Sequence, residues 1–294
     1  MSKKPSKNSK KQSKRSKKKI ETLVPDILSL FEKGHDYSDE GVKLLGETLA
    51  TLLKDRLASY KEPRKNTLRM SNIGKDPLQL WYDIHGTHEV PTTTPSDKFK
   101  FLFGDIIEAL VLSLASEAGH AVTRQQEEVE LEGVKGHIDA FIDGELVDVK
   151  SASKYAFRKF ESESSLRNND SFGYVEQLSG YAQATGRTQG YFLAVGKEDG
   201  QFQLLRIDTD DVRPRIQDIK NILLQSTPPY QCANDRPLGT SGNRELTYPC
   251  TYCNHKEKCW EKANGGVGLI PYEYSTGTKY LTHVAKEPQV TRKN

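Results

Sequence analysis

Gly136-His137-Ile138-Asp139 closes one apolar run of this chain, and Leu146-Val147-Asp148-Val149-Lys150 closes the next. Between them, Ala140 to Glu145 contains Asp143-Gly144, a strong signal for a tight hairpin turn. Folded as a hairpin, the two runs bring Asp139 and Asp148 together at one end of a sheet. Paired carboxylates there suit a hard divalent cation bound through oxygen. Lys150 lies two residues beyond Asp148 and so projects from the same strand face. A metal site with a cation beside an attacking water is what phosphodiester hydrolysis requires. Alone, an Asp-x-Lys at a strand end reads as solvated surface, so the reading depends on the rest of the chain.

The chain has 294 residues, 35% hydrophobic and 28% charged, which allows one large domain or two smaller ones. It has no apolar run of membrane-spanning length and no apolar core of a secretory signal, so an intracellular, non-secreted and non-membrane protein is expected. Met1–Lys19 carries ten Lys/Arg and no acid, while the whole chain is only +3. Such a Ser/Lys run can bury nothing and is expected to be a disordered basic tail. It would grip nucleic-acid phosphates with strong salt dependence, or serve as a solubilising or localisation tail.

Apolar spacing predicts helices over Ile20–Phe31 and Gly41–Tyr60, the second with a packing stripe of Leu44, Leu45, Leu49, Leu52, Leu53 and Leu57. A third is predicted over Arg69–Tyr82, capped by Ser71, and Pro91–Ser96 reads as a loop. Lys98–Gly119 reads as a helix with a broad apolar stripe, and Glu108 borders its core face. Strands are predicted at Val122–Leu131, Gly136–Ile142 and Glu145–Val149, then a helix over Tyr174–Gly186. Strands at Gln189–Val195 and Gln201–Arg206 precede a helix over Thr209–Leu224 that is irregular at Pro214. This order predicts an α/β fold with a central mixed sheet flanked by helices.

All four cysteines fall late: Cys232, then Cys250-x2-Cys253-x5-Cys259. With no secretory signal, this clustering argues for metal binding over disulfides. Four thiolates suit structural Zn²⁺ and a [4Fe–4S] cluster alike. His255 reads as a surface residue or a substitute ligand.

Four ordered motifs, between about Ser71 and Cys259, resemble the PD-(D/E)xK nuclease superfamily and its RecB-like and lambda-exonuclease-like branch. They are Gly104-x3-Glu108, Gly136-x2-Asp139, Asp148-Val149-Lys150 and Gln177-x3-Tyr181. The resemblance implies a restriction-endonuclease-like core in which Asp139 and Asp148 ligate Mg²⁺ or Mn²⁺, joined by Glu108 and the Val149 carbonyl. Lys150 would orient the attacking water, and Gln177 with Tyr181 would brace the site. From their own pattern, Lys154, Arg158 and Lys159, interleaved with Phe157 and Phe160, read as contacts to the substrate backbone or as a solvated amphipathic helix. Several RecB-like nucleases end in Cys-x2-Cys-x5-Cys holding an iron–sulfur cluster, with a fourth cysteine before the core. Here Asp76 stands at that place, and Cys232 is the natural replacement.

These readings predict a basic tail over 1–19, a helical region over 20–97, a nuclease core over 98–230, a four-cysteine module over 231–262 and a C-terminal tail over 263–294. The activity implied is metal-dependent hydrolysis of linear single- or double-stranded DNA from its ends, in recombination, repair or DNA degradation. The size resembles stand-alone exonucleases of phage and organelles, which would place the protein in cytoplasm, a host cell's included. No phosphate-loop motif is present, so a helicase or recombination partner would be separate. A catalytically inactive nucleic-acid-binding module, or an endonuclease of the same fold, are the alternatives. The sequence leaves polarity, strand preference and oligomeric state open.

Overall fold

The computed structural model describes residues 18–61, 66–248 and 250–293. The basic tail up to residue 17 lies outside them. Helices α1 (Leu23–Lys33), α2 (Asp39–Ser59), α3 (Pro77–His85) and α4 (Pro95–Glu117) come first. Strands β1 (Val122–Thr123), β2 (Glu128–Leu131), β3 (Val134–His137), β4 (Ala140–Ile142) and β5 (Glu145–Ala152) follow. Helices α5 (Lys154–Phe157), α6 (Glu163–Asn169) and α7 (Tyr174–Ala184) lead to β6 (Gln189–Gly196), β7 (Phe202–Asp208) and α8 (Arg213–Leu223). The remainder holds β8 (Asp235–Pro237), β9 (Arg244–Leu246), α9 (Lys256–Cys259), β10 (Ile270–Tyr274), β11 (Gly277–His283) and β12 (Thr291–Arg292).

The central sheet has the order β1-β4-β5-β6-β7, with β5 and β6 parallel and every other pair antiparallel. It is the mixed sheet flanked by helices that the sequence predicts. The parallel step needs a crossover, and α5, α6 and α7 supply it. Alternation along β5 sorts its side chains between two cores. Leu146 packs with Ile138, Leu178, Tyr181, Phe192 and Ile216 on the α7/α8 side. Val147 and Val149 pack with Leu23, Ile27, Val111, Ala115 and Leu193 on the α1/α4 side. Asp148 and Lys150 therefore face the α7 side, like Leu146.

Several elements differ from their predicted form. The two long strands expected over Val122–Leu131 and Gly136–Ile142 are each broken, because the ribbon leaves the central sheet. Arg124 and Gln126 take left-handed backbone angles (φ 54° and 52°). Across the break the ribbon is held by Ile138 N–H on the Glu127 carbonyl and Gln126 N–H on the Asp139 carbonyl, at 3.1 and 3.2 Å. Beyond it, β2 and β3 form a separate hairpin. Helix α3 starts at Pro77 and not near Ser71, because Asp76 is the better cap: its carboxylate accepts the Leu78 N–H at 2.9 Å and a proline opens the first turn.

Thr94 likewise caps α4 through the Asp97 N–H at 3.1 Å, so that helix begins inside the expected Pro/Thr loop. Pro214 falls in the first turn of α8 and causes no irregularity. The leucine stripe of α2 is not a buried packing face: Leu44 and Leu57 are about three-fifths exposed, and only Leu45, Leu49 and Leu52 are half-covered. The segment 263–294, expected as a tail, contributes β10, β11 and β12 to a second five-stranded sheet of order β12-β10-β11-β9-β8.

Candidate functional site

The turn between β4 and β5 has Asp143 and Gly144 both left-handed (φ 54° and 91°), as a two-residue hairpin with right-handed strand twist requires. Its register pairs Ala140 with Val147. Asp139, just before β4, therefore lies alongside Asp148 and Val149, and the Val149 N–H donates to Asp139 Oδ2 at 2.7 Å. Asp148 is buried on β5 and forms an ion pair with Lys150. The atom that the Lys150 ammonium meets is Asp148 Oδ2.

Glu108 reaches the same place from α4. Its carboxylate accepts a hydrogen bond from Gln126 Nε2 at 2.7 Å, across the break in the β-ribbon. The Glu108 helix approaches β5 at Gly104, where an added Cβ would stand 3.3 Å from Ser151 Oγ. Burial pushes Glu108 up to about 7, against the Gln126 hydrogen bond and with help from Asp148 and Asp105. Asp139 is raised well above the ordinary carboxylate range, first by burial and then by Asp148 and Glu108. Burial pulls the Lys150 ammonium down, but Asp148 and Asp139 outweigh it and hold the group above the usual lysine range.

Tyr181 is buried on α7 against this cluster. Burial pushes its hydroxyl up to about 12, opposed by a hydrogen bond from Gln177 and reinforced by Asp148 and Asp139. Gly136 is explained by this tyrosine: a Cβ there would lie 2.7 Å from Tyr181 Cε1 and 2.5 Å from Met70 Cβ. Thus Glu108, Asp139, Asp148, Lys150, Gln177 and Tyr181 are brought together. The cluster opens into a groove of about 830 Å³ between α2 and α4, lined in part by Thr48, Asp55, Arg56, Asp105 and Gln126. Arg56 Nε donates to Asp105 Oδ2 at 2.7 Å. Sequence reasoning missed Gln126 and Arg56. A glutamine in a charged loop and an arginine on a helix carry no motif, and only the fold brings them to the acids.

The three basic residues after the lysine motif separate. Lys154 and Arg158 are exposed. Lys159 is buried and donates to the Asn169 carbonyl at 2.9 Å, so it is not free to meet a phosphate. Phe160 belongs to the core and Phe157 packs against it, so neither offers an open ring.

Cys232, Cys250, Cys253 and Cys259 are all half-buried free thiols. Cys232 Sγ lies 3.8 Å from Cys250 Sγ. Hydrogen bonds from Cys250 and Cys259 hold Cys232 well below the usual thiol range, and those two are pushed up in turn by Cys232. Burial raises Cys253, against the His255 N–H on its sulfur. His255 is buried and not on the surface: Nε2 pairs with Asp83 Oδ1 at 2.8 Å and Nδ1 with His88 Nε2 at 3.0 Å. Asp76 stays a helix cap, held by the Tyr230 hydroxyl at 2.6 Å.

The chemistry of the carboxylate cluster fits a hard divalent cation: its donors are oxygens, and burial together with neighbouring acids holds Glu108 and Asp139 above the ordinary carboxylate range. The cysteines have the soft donors that zinc or an iron–sulfur cluster takes. Neither set is closed into a cage. Among the described residues, no group of three or more His, Cys, Asp or Glu side chains is assembled to hold a metal ion. No helix among them is long and apolar enough to cross a membrane.

No family model matches the chain, and no curated protein matches it. Among solved structures it is similar to the protein designated SSO0001, at 17% identity over 70% of this chain and 92% of that one, with a TM-score of 0.41. It is also similar to an alkaline exonuclease (LHK-Exo) from Laribacter hongkongensis, at 18% identity over 57% and 87%, with a TM-score of 0.36. A phage-related exonuclease from Haemophilus somnus 129PT shows 16% identity over 53% and 90%, with a TM-score of 0.35. These likenesses are weak, and the functional reading below rests on the site itself.

Proposed function

We propose that this chain is a metal-dependent deoxyribonuclease of the PD-(D/E)xK type that hydrolyses phosphodiester bonds from DNA ends. One observation carries the reading: three acids from separate elements converge on a single lysine, Lys150, and burial with their mutual repulsion holds Glu108 and Asp139 above the ordinary carboxylate range. One ammonium beside three carboxylates leaves an excess of negative charge that a bound cation would offset. Glu108, Asp139, Asp148 and the Val149 carbonyl would hold Mg²⁺ or Mn²⁺. The bound ion would supply Lewis-acid stabilisation of charge on the phosphoryl oxygens.

The remaining roles belong to the chain itself. Lys150, kept cationic by Asp148 and Asp139, orients the attacking water and stabilises negative charge developing on phosphate. The Val149 N–H fixes the Asp139 carboxylate, and Gln126 fixes Glu108. Gln177 and Tyr181 would brace the acids, with Tyr181 filling the space that Gly136 leaves. Lys154 and Arg158, both exposed, would meet substrate phosphates. In the C-terminal lobe, Cys232, Cys250, Cys253 and Cys259 would hold a structural [4Fe–4S] cluster or Zn²⁺. The approach of Cys232 to Cys250, with Cys253 and Cys259 close by in sequence, supports that assignment; metal analysis of the purified protein decides which.

The deciding experiment is hydrolysis of end-labelled linear DNA, single- and double-stranded, beside covalently closed circles, with Mg²⁺, with Mn²⁺ and with EDTA. Metal-dependent loss of linear DNA with intact circles is the expected result, and the label gives polarity. Cleaved circles would make the protein an endonuclease. Absence of hydrolysis by folded protein would make it a binding module.

A further inference from the structure

The sequence motif of basic residues interleaved with phenylalanines does not form an open binding face, but the fold builds a different one. Tyr252 is 73% exposed, Phe172 52% and Tyr248 49%. Rings this open leave apolar surface in water that burial would favour removing, and clusters of them mark interaction sites. Phe172 and the Tyr248–Tyr252 pair come from distant parts of the chain and are joined by contact. Phe172 stacks on Tyr174 with centroids 5.6 Å apart, and Tyr248 meets Tyr252 edge-on at 5.4 Å. Lys159 bridges the two pairs, its ammonium 5.7 Å from the Phe172 ring centre and 5.6 Å from that of Tyr248.

The series runs back to the carboxylate cluster. Tyr174 lies under the Lys150 ammonium, 4.9 Å from ring centre to nitrogen. A line of aromatic rings with an embedded cation thus leads from Lys150 to the surface beside Cys250 and Cys253. Flat faces offered in series match the π-faces of unpaired bases, which stack on them whatever their sequence. The series ends at Lys150, where the proposed chemistry acts on phosphodiesters, so a phosphate-linked chain of bases is the ligand it suits. Paired bases, already stacked on each other within a duplex, present no such faces.

We infer that Phe172, Tyr248 and Tyr252 form a stacking platform for the unpaired bases of a single nucleic-acid strand entering or leaving the site at Lys150. The inference deepens the nuclease reading and relies on it for the strand's destination. The platform itself is tested by binding alone.

The experiment is fluorescence anisotropy of the full chain in EDTA with a labelled oligothymidine and a blunt-ended hairpin duplex. Tyr248→Ala and Tyr252→Ala should each weaken oligothymidine binding by about fivefold or more. Tyr252→Phe, which keeps the ring, should bind like wild type, and Tyr252→Leu, which keeps only apolar bulk, should bind like Tyr252→Ala. Hairpin affinity should stay within about twofold throughout. Equal binding by the Leu and Phe variants, parallel loss on the hairpin, or no oligothymidine binding by wild type would each overturn the platform. Both tyrosines are at the surface, so the variants should melt with wild type. Wild-type hydrolysis of DNA is read separately: its absence sinks the nuclease reading and leaves the platform standing, while hydrolysis with unchanged binding in both alanine variants sinks the platform alone.

Discussion

The two ends of the β4–β5 hairpin each hold a buried cluster of charges, and they are built on opposite plans. At the turn, the His120 side chain is fully buried and pairs with Asp143 at 2.6 Å and Asp26 at 3.2 Å. Every carboxylate there has further work: Asp143 accepts the Ala121 N–H at 2.9 Å, and Asp26 pairs with Lys18 at 2.9 Å. At the open end, Glu108, Asp139 and Asp148 share Lys150, and burial with the crowding of acids holds Glu108 and Asp139 above the ordinary carboxylate range. The satisfied cluster fastens α1 to the sheet. The frustrated one is the arrangement that a bound cation would relieve.

The largest effect should come from Asp148→Asn. Hydrolysis should fall on the order of a thousandfold or more, because one carboxylate charge at the site is lost. Stability should hold or rise, since repulsion with Asp139 is relieved. Turnover near wild type in single-turnover assays would remove the site assignment. His120→Ala should do the reverse, costing about 3 kcal/mol in denaturant unfolding by removing the buried partner that Asp143 and Asp26 share. The partial exposure of Asp26 keeps the loss from being larger. Activity per folded molecule should not change. A His120 variant that keeps its stability and loses turnover would break the comparison outright.

Gly136→Ala tests how tightly the open end is packed. The added methyl group would meet Tyr181 and Met70 at 2.7 and 2.5 Å, and relieving that contact should cost about 1–3 kcal/mol. Turnover should fall as well, because Asp139 lies three residues along. Unchanged melting would mean that Tyr181 can move without consequence, against its proposed bracing role.

How much of this was legible in the sequence follows from which contacts are local. The β4–β5 hairpin was readable because Asp143-Gly144 fixes its own turn geometry and the period-two pattern fixes the faces. Gly104 and Gly136 could be noticed as motif members, but their reason, close approach to Ser151 and Tyr181, exists only in three dimensions. Gln126 was invisible because it reaches Glu108 from a left-handed bend that no local propensity demands. Lys159 was misread for the opposite cause: a basic run looks solvated, and only tertiary packing sends that ammonium inward to Asn169. The α2 leucines show that helical periodicity states which face is apolar and not what covers it.

The frustrated end should also announce itself through pH. Glu108 has a folded value of about 7 against an ordinary value of 4.5, and Asp139 is shifted in the same direction. The folded protein therefore binds these protons more tightly than the unfolded chain does. Their contribution is fully present below about pH 4.5 and is lost as pH rises through about 7. Melting temperature in EDTA should fall across that interval, and Glu108→Gln should flatten the fall. Millimolar Mg²⁺ or Mn²⁺ should restore stability chiefly at the upper end, because the cation binds the ionised carboxylates of the folded state. A melting profile insensitive to both pH and metal would put the open end on the same plan as the turn.

The smallest effect concerns the segment before the turn-end cluster. Lys18 pairs with Asp26 and so belongs to the folded body, whereas residues 1–17 supply the basic run ahead of it. Deleting 1–17 should leave melting and turnover at low salt unchanged. It should weaken DNA binding at intermediate salt and reduce the slope of log affinity against log salt, by roughly 0.9 for each duplex phosphate contact removed. A deletion that also removed Lys18 should lower the melting temperature, because Asp26 would lose its lysine. An unchanged salt slope in the shorter deletion would mean that the run does not touch DNA, leaving phosphate contact to the folded body and to Lys154 and Arg158.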